Sequence, residues 1–179
     1  MNPLAIFHEK DVFPNKGTDV ADVDFEDRRT GKAVVFDQEG NVALVGNKVN
    51  SFQLLPGGGI HENESVEEGI IRECLEEIGC VVELEQNLGI VEDFRTRDKK
   101  HCINYCYTAN LVGEKGNPVL TEDETKNGMH VIWLPLNKAI EKLREETEQL
   151  KRGEVLFYNT GFNILRDFIY LEEAQKSQR

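Results

Sequence analysis

Three glutamates lie close together in the sequence, at positions 73, 76 and 77. If this segment is an α-helix, at about 100° per residue, Glu73, Glu76 and Glu77 fall on one face, within about 100° of one another. Like charges at this spacing repel by roughly 0.2–0.5 kcal/mol per exposed pair. The face is therefore either an acidic surface screened by water and salt, or a set of oxygen ligands for Mg²⁺ or Mn²⁺. The carboxylate spacing alone leaves both interpretations open.

The segment around these glutamates carries clear helix signals. Ser65 and Glu68 have the spacing of a capping box, and Gly79 stands where a helix-ending glycine is expected. Apolar residues occupy the other half of the helical wheel, at Val66, Ile70, Ile71, Cys74, Leu75 and Ile78. The pattern predicts a helix from Ser65 to Ile78 that packs one face on a core and presents the carboxylates on another.

The spacing around this helix is more specific than the carboxylates alone. Gly58, five residues, Glu64, seven residues and then RECLEEIGC at 72–80 match the pattern G-x5-E-x7-R-E-U-x-E-E-x-G-U, where U is a bulky aliphatic residue. Every fixed polar and glycine position is met, and both U positions are cysteine. This pattern is the Nudix box, and the predicted strand, loop and helix are the context that it requires. The chain therefore resembles the Nudix hydrolase family, of the MutT-like type.

The resemblance implies roles for the residues of the box. Glu73, Glu76 and Glu77 would be catalytic metal ligands for Mg²⁺ or Mn²⁺, which would bridge substrate phosphate oxygens and orient a water molecule. Arg72 would orient Glu76, although a plain surface pair four residues apart is the structural alternative. Glu64 would contact a metal or hold the glycine loop, or its charge would simply suit the start of the helix.

Residues outside the helix are also candidates. Gly57, Gly58 and Gly59 would let the backbone turn sharply and approach the helix beside the substrate. In the family the general base is either a glutamate of the box or an acidic residue of a distant loop. Glu124 is the first choice for such a base or an extra ligand and Glu122 the second, with a solvated acidic loop as the alternative.

One basic segment stands out in this acidic chain. Arg95 and Arg97, followed by Lys99 and Lys100, form its dense basic run. These side chains could bind substrate phosphates, whereas the structural alternative is a solvated hairpin turn.

The remaining pattern predicts an α/β fold in which a mixed β-sheet lies between helices, the α/β/α sandwich of the Nudix type. We interpret residues 1–30 as an N-terminal arm or edge element and residues 31–179 as a single domain. Strand-like runs cover 33–36, 42–45, 51–55, 80–84, 89–94, 102–112 and 129–134, and the first two form a hairpin. Two further helices are predicted at 137–150 and 160–174.

Composition narrows the functional classes. The chain has 179 residues and a net charge of −12, which argues against broad nucleic-acid binding because such binding needs basic surface. No apolar run approaches a membrane span and the N-terminus lacks a secretory pattern, so we expect no membrane association and a cytoplasmic location. Four cysteines without a CxxC pair are expected to be reduced. A homodimer is expected only because dimers are common among similar proteins.

Taken with the resemblance, these features predict metal-dependent hydrolysis of a diphosphate bond. The substrate would be a nucleoside diphosphate linked to another group, of the nucleoside triphosphate, ADP-ribose or nucleotide-sugar type, and a nucleoside monophosphate would be released. The alternative is a non-catalytic module of the same fold that senses or binds a nucleotide. Such modules usually lose carboxylates of the box, and this chain retains all of them. Removal of pyrophosphate from RNA ends is disfavoured by the net charge.

Overall fold

The computed structural model of the chain describes residues 2–14, 23–49 and 51–178. Its strands are β1 (Ala5–His8), β2 (Glu26–Phe36), β3 (Asn41–Gly46), β4 (Gln53–Leu54), β5 (Val81–Arg95), β6 (Lys100–Val112) and β7 (His130–Pro135). Its helices are α1 (Glu9–Val12), α2 (Val66–Ile78), α3 (Glu122–Lys126), α4 (Leu136–Lys151) and α5 (Tyr158–Ser177).

The strands within the described residues form one mixed sheet. Their order is β1-β5-β6-β2-β3-β4, and β7 pairs with β3. β5 and β6 are antiparallel, whereas β2 and β6 run parallel from the pair Glu26 and Lys100 to the pair Phe36 and Asn110. β2 and β3 are antiparallel and meet next to their turn, at Phe36 and Val42, as the predicted hairpin requires.

Alternate residues of the central strands face opposite layers of helices. Ala33 and Val35 of β2 pack with Ile70 and Cys74 of α2 on one face. Val34 lies in the cluster on the other face, with side chains of α4 and α5. This alternation follows from the two-residue period of a strand. The predicted α/β sandwich, with a mixed sheet between helices, is therefore confirmed.

Several element boundaries differ from those predicted. The runs at 80–84 and 89–94 are a single strand, β5, because irregular pairing between Leu84 and Gly89 bends the strand without ending it. The strand predicted at 51–55 is reduced to Gln53–Leu54, and α5 extends beyond 160–174 at both ends.

The segment predicted as an N-terminal arm or edge element contains β1, which pairs parallel with β5 at the edge of the sheet. The predicted boundary at residue 30 falls inside β2. Residues 1 and 15–22 of the predicted arm lie outside the described residues.

Candidate active site

Helix α2 begins and ends as its sequence predicts. The Oγ atom of Ser65 accepts a hydrogen bond of 3.1 Å from the amide of Glu68, and the Glu68 carboxylate accepts one of 2.8 Å from the amide of Ser65. Gly79 ends the helix in the left-handed region at φ 66°. Ile70 and Cys74 are fully buried against the sheet, so the core fixes which face of α2 carries the carboxylates.

The glycine loop lies directly against β2 and α2. Gly57 has φ 128°, and a Cβ atom there would lie 2.1 Å from the carbonyl oxygen of Gly31. A Cβ atom at Gly58 would lie 2.6 Å from Oε1 of Glu73, whereas Gly59 has more room. The amide of Gly57 donates a hydrogen bond of 2.7 Å to Oε2 of Glu77. The absence of side chains thus lets Gly57 lie against β2 and Gly58 lie against Glu73 on the acidic face.

Arg72 is the centre of the ion pairs on this face. Its Nε and Nη2 atoms donate to the two oxygens of Glu64 at 2.8 and 3.0 Å, and Nη2 also donates to the carbonyl oxygen of Gly59 at 3.0 Å. Its Nη1 atom donates to Glu73 at 2.9 Å and to Glu76 at 3.1 Å. The expected contact with Glu76 is present, but the two-pronged pair with Glu64 is the larger interaction.

Burial and nearby charges shift the pKa values of Glu64 and Glu77 in opposite directions. Hydrogen bonds from Arg72 and from the amide of His61 lower the pKa of Glu64 to about 2. Desolvation raises the pKa of Glu77 to about 7, and the charges of Glu73 and Glu124 raise it further against the opposing effects of Lys32 and the Gly57 amide. Glu77 is therefore a poorly hydrated carboxylate whose charge a nearby cation would stabilise.

The oxygen ligands fit a divalent cation by chemistry and by position on the helix, but their side chains do not yet converge. Within the described residues, no group of three or more His, Cys, Asp or Glu side chains is placed to hold a metal ion. Arg72 draws Glu73 and Glu76 toward itself. Carboxylate oxygens are the ligands that Mg²⁺ and Mn²⁺ prefer, and a bound cation would compete with Arg72 for Glu73 and Glu76.

The two glutamates predicted in the acidic loop, Glu122 and Glu124, have different surroundings. Glu124 caps the short helix α3, since its carboxylate accepts hydrogen bonds of 2.7 and 2.8 Å from the amide and hydroxyl of Thr121. Its charge nevertheless reaches Glu77, whose pKa it raises. Glu122 is exposed and lies 3.7 Å from Lys126. The structure thus brings Glu124, rather than Glu122, toward the carboxylates of α2.

The basic run is split between two parts of the molecule. Arg95 is buried, donates to Asp93 at 2.6 Å and to Asn159 at 3.1 Å, and lines a cavity of about 220 Å³ together with Gly57 and Gly58. Arg97 stacks 3.8 Å from the ring centre of Tyr158 and borders a separate cavity. Of the two arginines, Arg95 lies beside Gly57 and Gly58, and Lys100 lines another cavity that includes Gly59.

Two buried cations near the glycine loop, Lys32 and Arg166, are not among the predicted site residues. The Nζ atom of Lys32 donates to the carbonyl oxygens of Leu55, at 2.9 Å, and of Gly57. Desolvation and the charge of Arg166 lower the pKa of Lys32. A lysine at the start of an apolar strand and an arginine inside an amphipathic helix were the available sequence signals, but neither specifies what the side chain faces.

These elements define a class of fold in which a mixed sheet lies between two helical layers. The glycine loop and the acidic helix α2 lie together beside this sheet. The family model described as NUDIX domain matches residues 27–154, well over half of the chain. The chain belongs to the NUDIX family, and the predicted family is confirmed.

Solved structures agree with this fold. A NUDIX hydrolase from Nitrosomonas europaea has a TM-score of 0.54 and 20% identity, and the match covers 65% of this chain and 78% of that one. A MutT protein from Methanosarcina mazei Go1 has a TM-score of 0.53 and 20% identity, over 74% of this chain and 99% of that one.

A curated relative, named ADP-ribose pyrophosphatase, comes from Methanocaldococcus jannaschii. It is 27% identical over 82 residues, which are 44% of this chain and 48% of the relative. The chain thus spans about half the length of the curated relative that it matches. None of the helices in the described part of the chain combines the length and the apolar character needed to cross a bilayer.

Proposed function

We propose that the chain hydrolyses a diphosphate bond in a nucleoside diphosphate linked to another group, with Mg²⁺ or Mn²⁺ bound. The observation that carries this proposal is that two of the three carboxylates on α2 lie against the glycine loop, Glu77 at the amide of Gly57 and Glu73 beside Gly58. The missing side chains let the loop pack against β2 and Glu73, so a substrate diphosphate held by cations at these carboxylates would lie beside the loop backbone.

Each residue of the site has a distinct part in this proposal. Glu73, Glu76 and Glu77 would hold the divalent cations, which supply charge neutralisation at the phosphates and an activated water. Arg72 and Glu64 would keep the glycine loop and the acidic face in register, through the contact with Gly59. Glu124 is the proposed additional base or ligand.

In the reaction, a water oxygen forms a bond to one phosphorus of the diphosphate and the bond from that phosphorus to the bridging oxygen breaks. The water gives up a proton to a carboxylate of the site. The products are a nucleoside monophosphate and the phosphorylated remainder, or pyrophosphate when the substrate is a nucleoside triphosphate.

Three substrate types fit the proposal: ADP-ribose, nucleotide sugars and nucleoside triphosphates. ADP-ribose gains support from the name of the curated relative. A nucleotide-sensing module of the same fold is the alternative, and the presence of every carboxylate of the box favours the enzyme. A cytoplasmic location and a homodimer stay predictions from the sequence.

The test is a panel of nucleoside triphosphates, ADP-ribose, nucleotide sugars and dinucleoside polyphosphates, with identification of the products. Turnover should disappear with EDTA and return with Mg²⁺ or Mn²⁺. Turnover that resists EDTA would reject the metal, and failure of the whole panel would favour the sensor.

The matched variants are Glu76→Gln and Glu77→Gln, with Glu83→Gln on the exposed side of β5 as control. We expect kcat to fall by roughly 10²-fold or more in the first two, as for loss of a group that stabilises transition-state charge. The melting temperature should change little. An equal loss of activity in the control, or unfolding in place of inactivation, would contradict the assignment.

A further inference from the structure

A small cavity of about 220 Å³ lies between β2, β5 and α5, next to the glycine loop. Four of its lining residues are cationic and none is acidic: Arg28, Lys32, Arg95 and Arg166 surround it, together with Asn159 and Asn163 among others. In a chain of net charge −12, this concentration of positive charge needs a physical reason.

Arg166 is buried, at 2% exposure, but its hydrogen bonds are incomplete. Its Nε atom donates to Asp167 at 2.7 Å, and its Nη1 atom donates to Asn104 at 3.1 Å and to Asn163 at 3.2 Å. Its Nη2 atom is buried and has no hydrogen-bond partner among the described residues. Leaving a charged donor buried and unpaired is costly, so a ligand oxygen at this position would stabilise it.

The carboxylates nearby offset only part of the positive charge. Asp93 pairs with Arg95, and Asp167 pairs with Arg166. Lys32 is held by two backbone carbonyl groups. Within the described residues, no carboxylate forms an ion pair with Lys32 or with the exposed Arg28, although the charges of Glu73 and Glu77 act on Lys32 from outside the cavity. The residues that line the cavity therefore carry more positive than negative charge.

Size and position restrict what the cavity can hold. Pockets for whole drug-sized ligands have volumes of roughly 300–1,000 Å³, so this cavity suits a single anionic group better than a nucleoside. Gly57 and Gly58 line it and also contact Glu77 and Glu73. An anion in it would therefore be attached close to a diphosphate bound at the acidic helix.

We propose that this cavity is an anion subsite, where Arg28, Lys32, Arg95 and the free Nη2 of Arg166 bind a phosphate or carboxylate group carried by the substrate next to its scissile diphosphate. The inference rests on the proposed function, and it adds a preference for substrates with an extra negative charge. Three of the lining residues, Asn159, Asn163 and Arg166, lie outside the segment matched by the family model, so the subsite depends on the last helix of this chain.

Binding is measured first, without turnover. The probe is inorganic pyrophosphate, titrated calorimetrically into the full chain in EDTA at constant ionic strength. We expect the wild type and Arg144→Gln, an exposed control on α4, to bind equally. Arg28→Gln and Arg166→Gln should each bind at least about tenfold more weakly, as for loss of a charge-assisted hydrogen bond. Equal binding by Arg28→Gln, or no binding by the wild type, would overturn the proposal.

Circular dichroism shows whether Arg166→Gln folds. If it does not fold, Arg28→Gln alone decides the test, because Arg28 is exposed and its replacement should leave the fold intact. Turnover is then compared for UDP-glucuronate against UDP-glucose, and for ATP against ADP. A wild-type preference for the first member of either pair that Arg28→Gln abolishes would support the subsite and identify a carboxylate or a phosphate as its ligand. Turnover with unchanged selectivity in Arg28→Gln would reject the subsite and leave the proposed function standing. Absence of turnover with these four compounds and with the whole substrate panel, ADP-ribose included, would reject the function, and the calorimetry would still decide the subsite.

Discussion

Replacing Glu146 by glutamine should stabilise the protein at alkaline pH and not at acidic pH. Glu146 lies on the buried face of α4, at 3% exposure. One carboxylate oxygen accepts a hydrogen bond of 3.1 Å from the amide of Gln53, and the other is buried without a partner among the described residues. Desolvation raises the pKa of Glu146 to about 7, although the Gln53 amide and Lys142, 3.6 Å away, oppose the shift.

The direction of the pH effect follows from this raised pKa. Between about pH 4.5 and pH 7 the folded protein keeps a proton on Glu146 that the unfolded chain has released, so the free energy of unfolding falls as pH rises. Each pH unit is worth about 1.4 kcal/mol, so the difference between pKa 4.5 and pKa 7 corresponds to about 3.5 kcal/mol at most. That cost is absent below pH 4.5 and complete above pH 7.

The assay is urea unfolding of wild type, Glu146→Gln and Glu145→Gln at pH 5 and pH 8. Glu145 is the exposed neighbour and serves as control. We expect Glu146→Gln to gain about 2–3 kcal/mol over wild type at pH 8 and much less at pH 5, while the control stays within about 0.5 kcal/mol of wild type at both. A gain independent of pH, or a loss at pH 8, would refute the reasoning.

Two further substitutions test the backbone and the core. Gly57→Ala should lower the melting temperature and abolish turnover, because its Cβ atom would meet the carbonyl oxygen of Gly31. The control is Gly40→Ala, where φ is also positive but the space is open, and it should cost only about 1 kcal/mol in urea unfolding. Tyr170→Phe should cost about 1–3 kcal/mol in the same measurement, because the buried hydroxyl donates to the carbonyl oxygen of Asn104 at 2.5 Å. Wild-type stability in Tyr170→Phe would contradict this contribution of the hydroxyl.

Local signals predict the acidic helix almost completely. The capping residues, the apolar face and Gly79 all act within one turn of their own position, so the start, end and orientation of α2 follow from the sequence. The same type of signal is present at Thr121 and Glu124, where the spacing of a capping box indicates α3. That spacing indicates that the Glu124 carboxylate has hydrogen-bond partners of its own, at Thr121.

Long-range packing explains the rest. Arg95 is predicted with Arg97 as one exposed basic run, yet the first is buried beside Asp93 and the second stacks on Tyr158. Which of two nearby arginines turns inward depends on α5, more than 60 residues away in sequence. Lys32 could not be predicted as a site residue either, because its contact with the glycine loop forms only in the folded chain.

The carboxylate of Asp167 accepts a hydrogen bond of 2.9 Å from the amide of Leu55. Leu55 stands two residues before Gly57, so α5 fixes the backbone that leads into the glycine loop. A chain trimmed to residues 27–154 would keep every residue of the box and lose this tether, along with Arg166 and Tyr170. Such a fragment would preserve the signature of its family while losing one wall of the cavity beside the glycine loop, so we expect it to lose the proposed anion subsite.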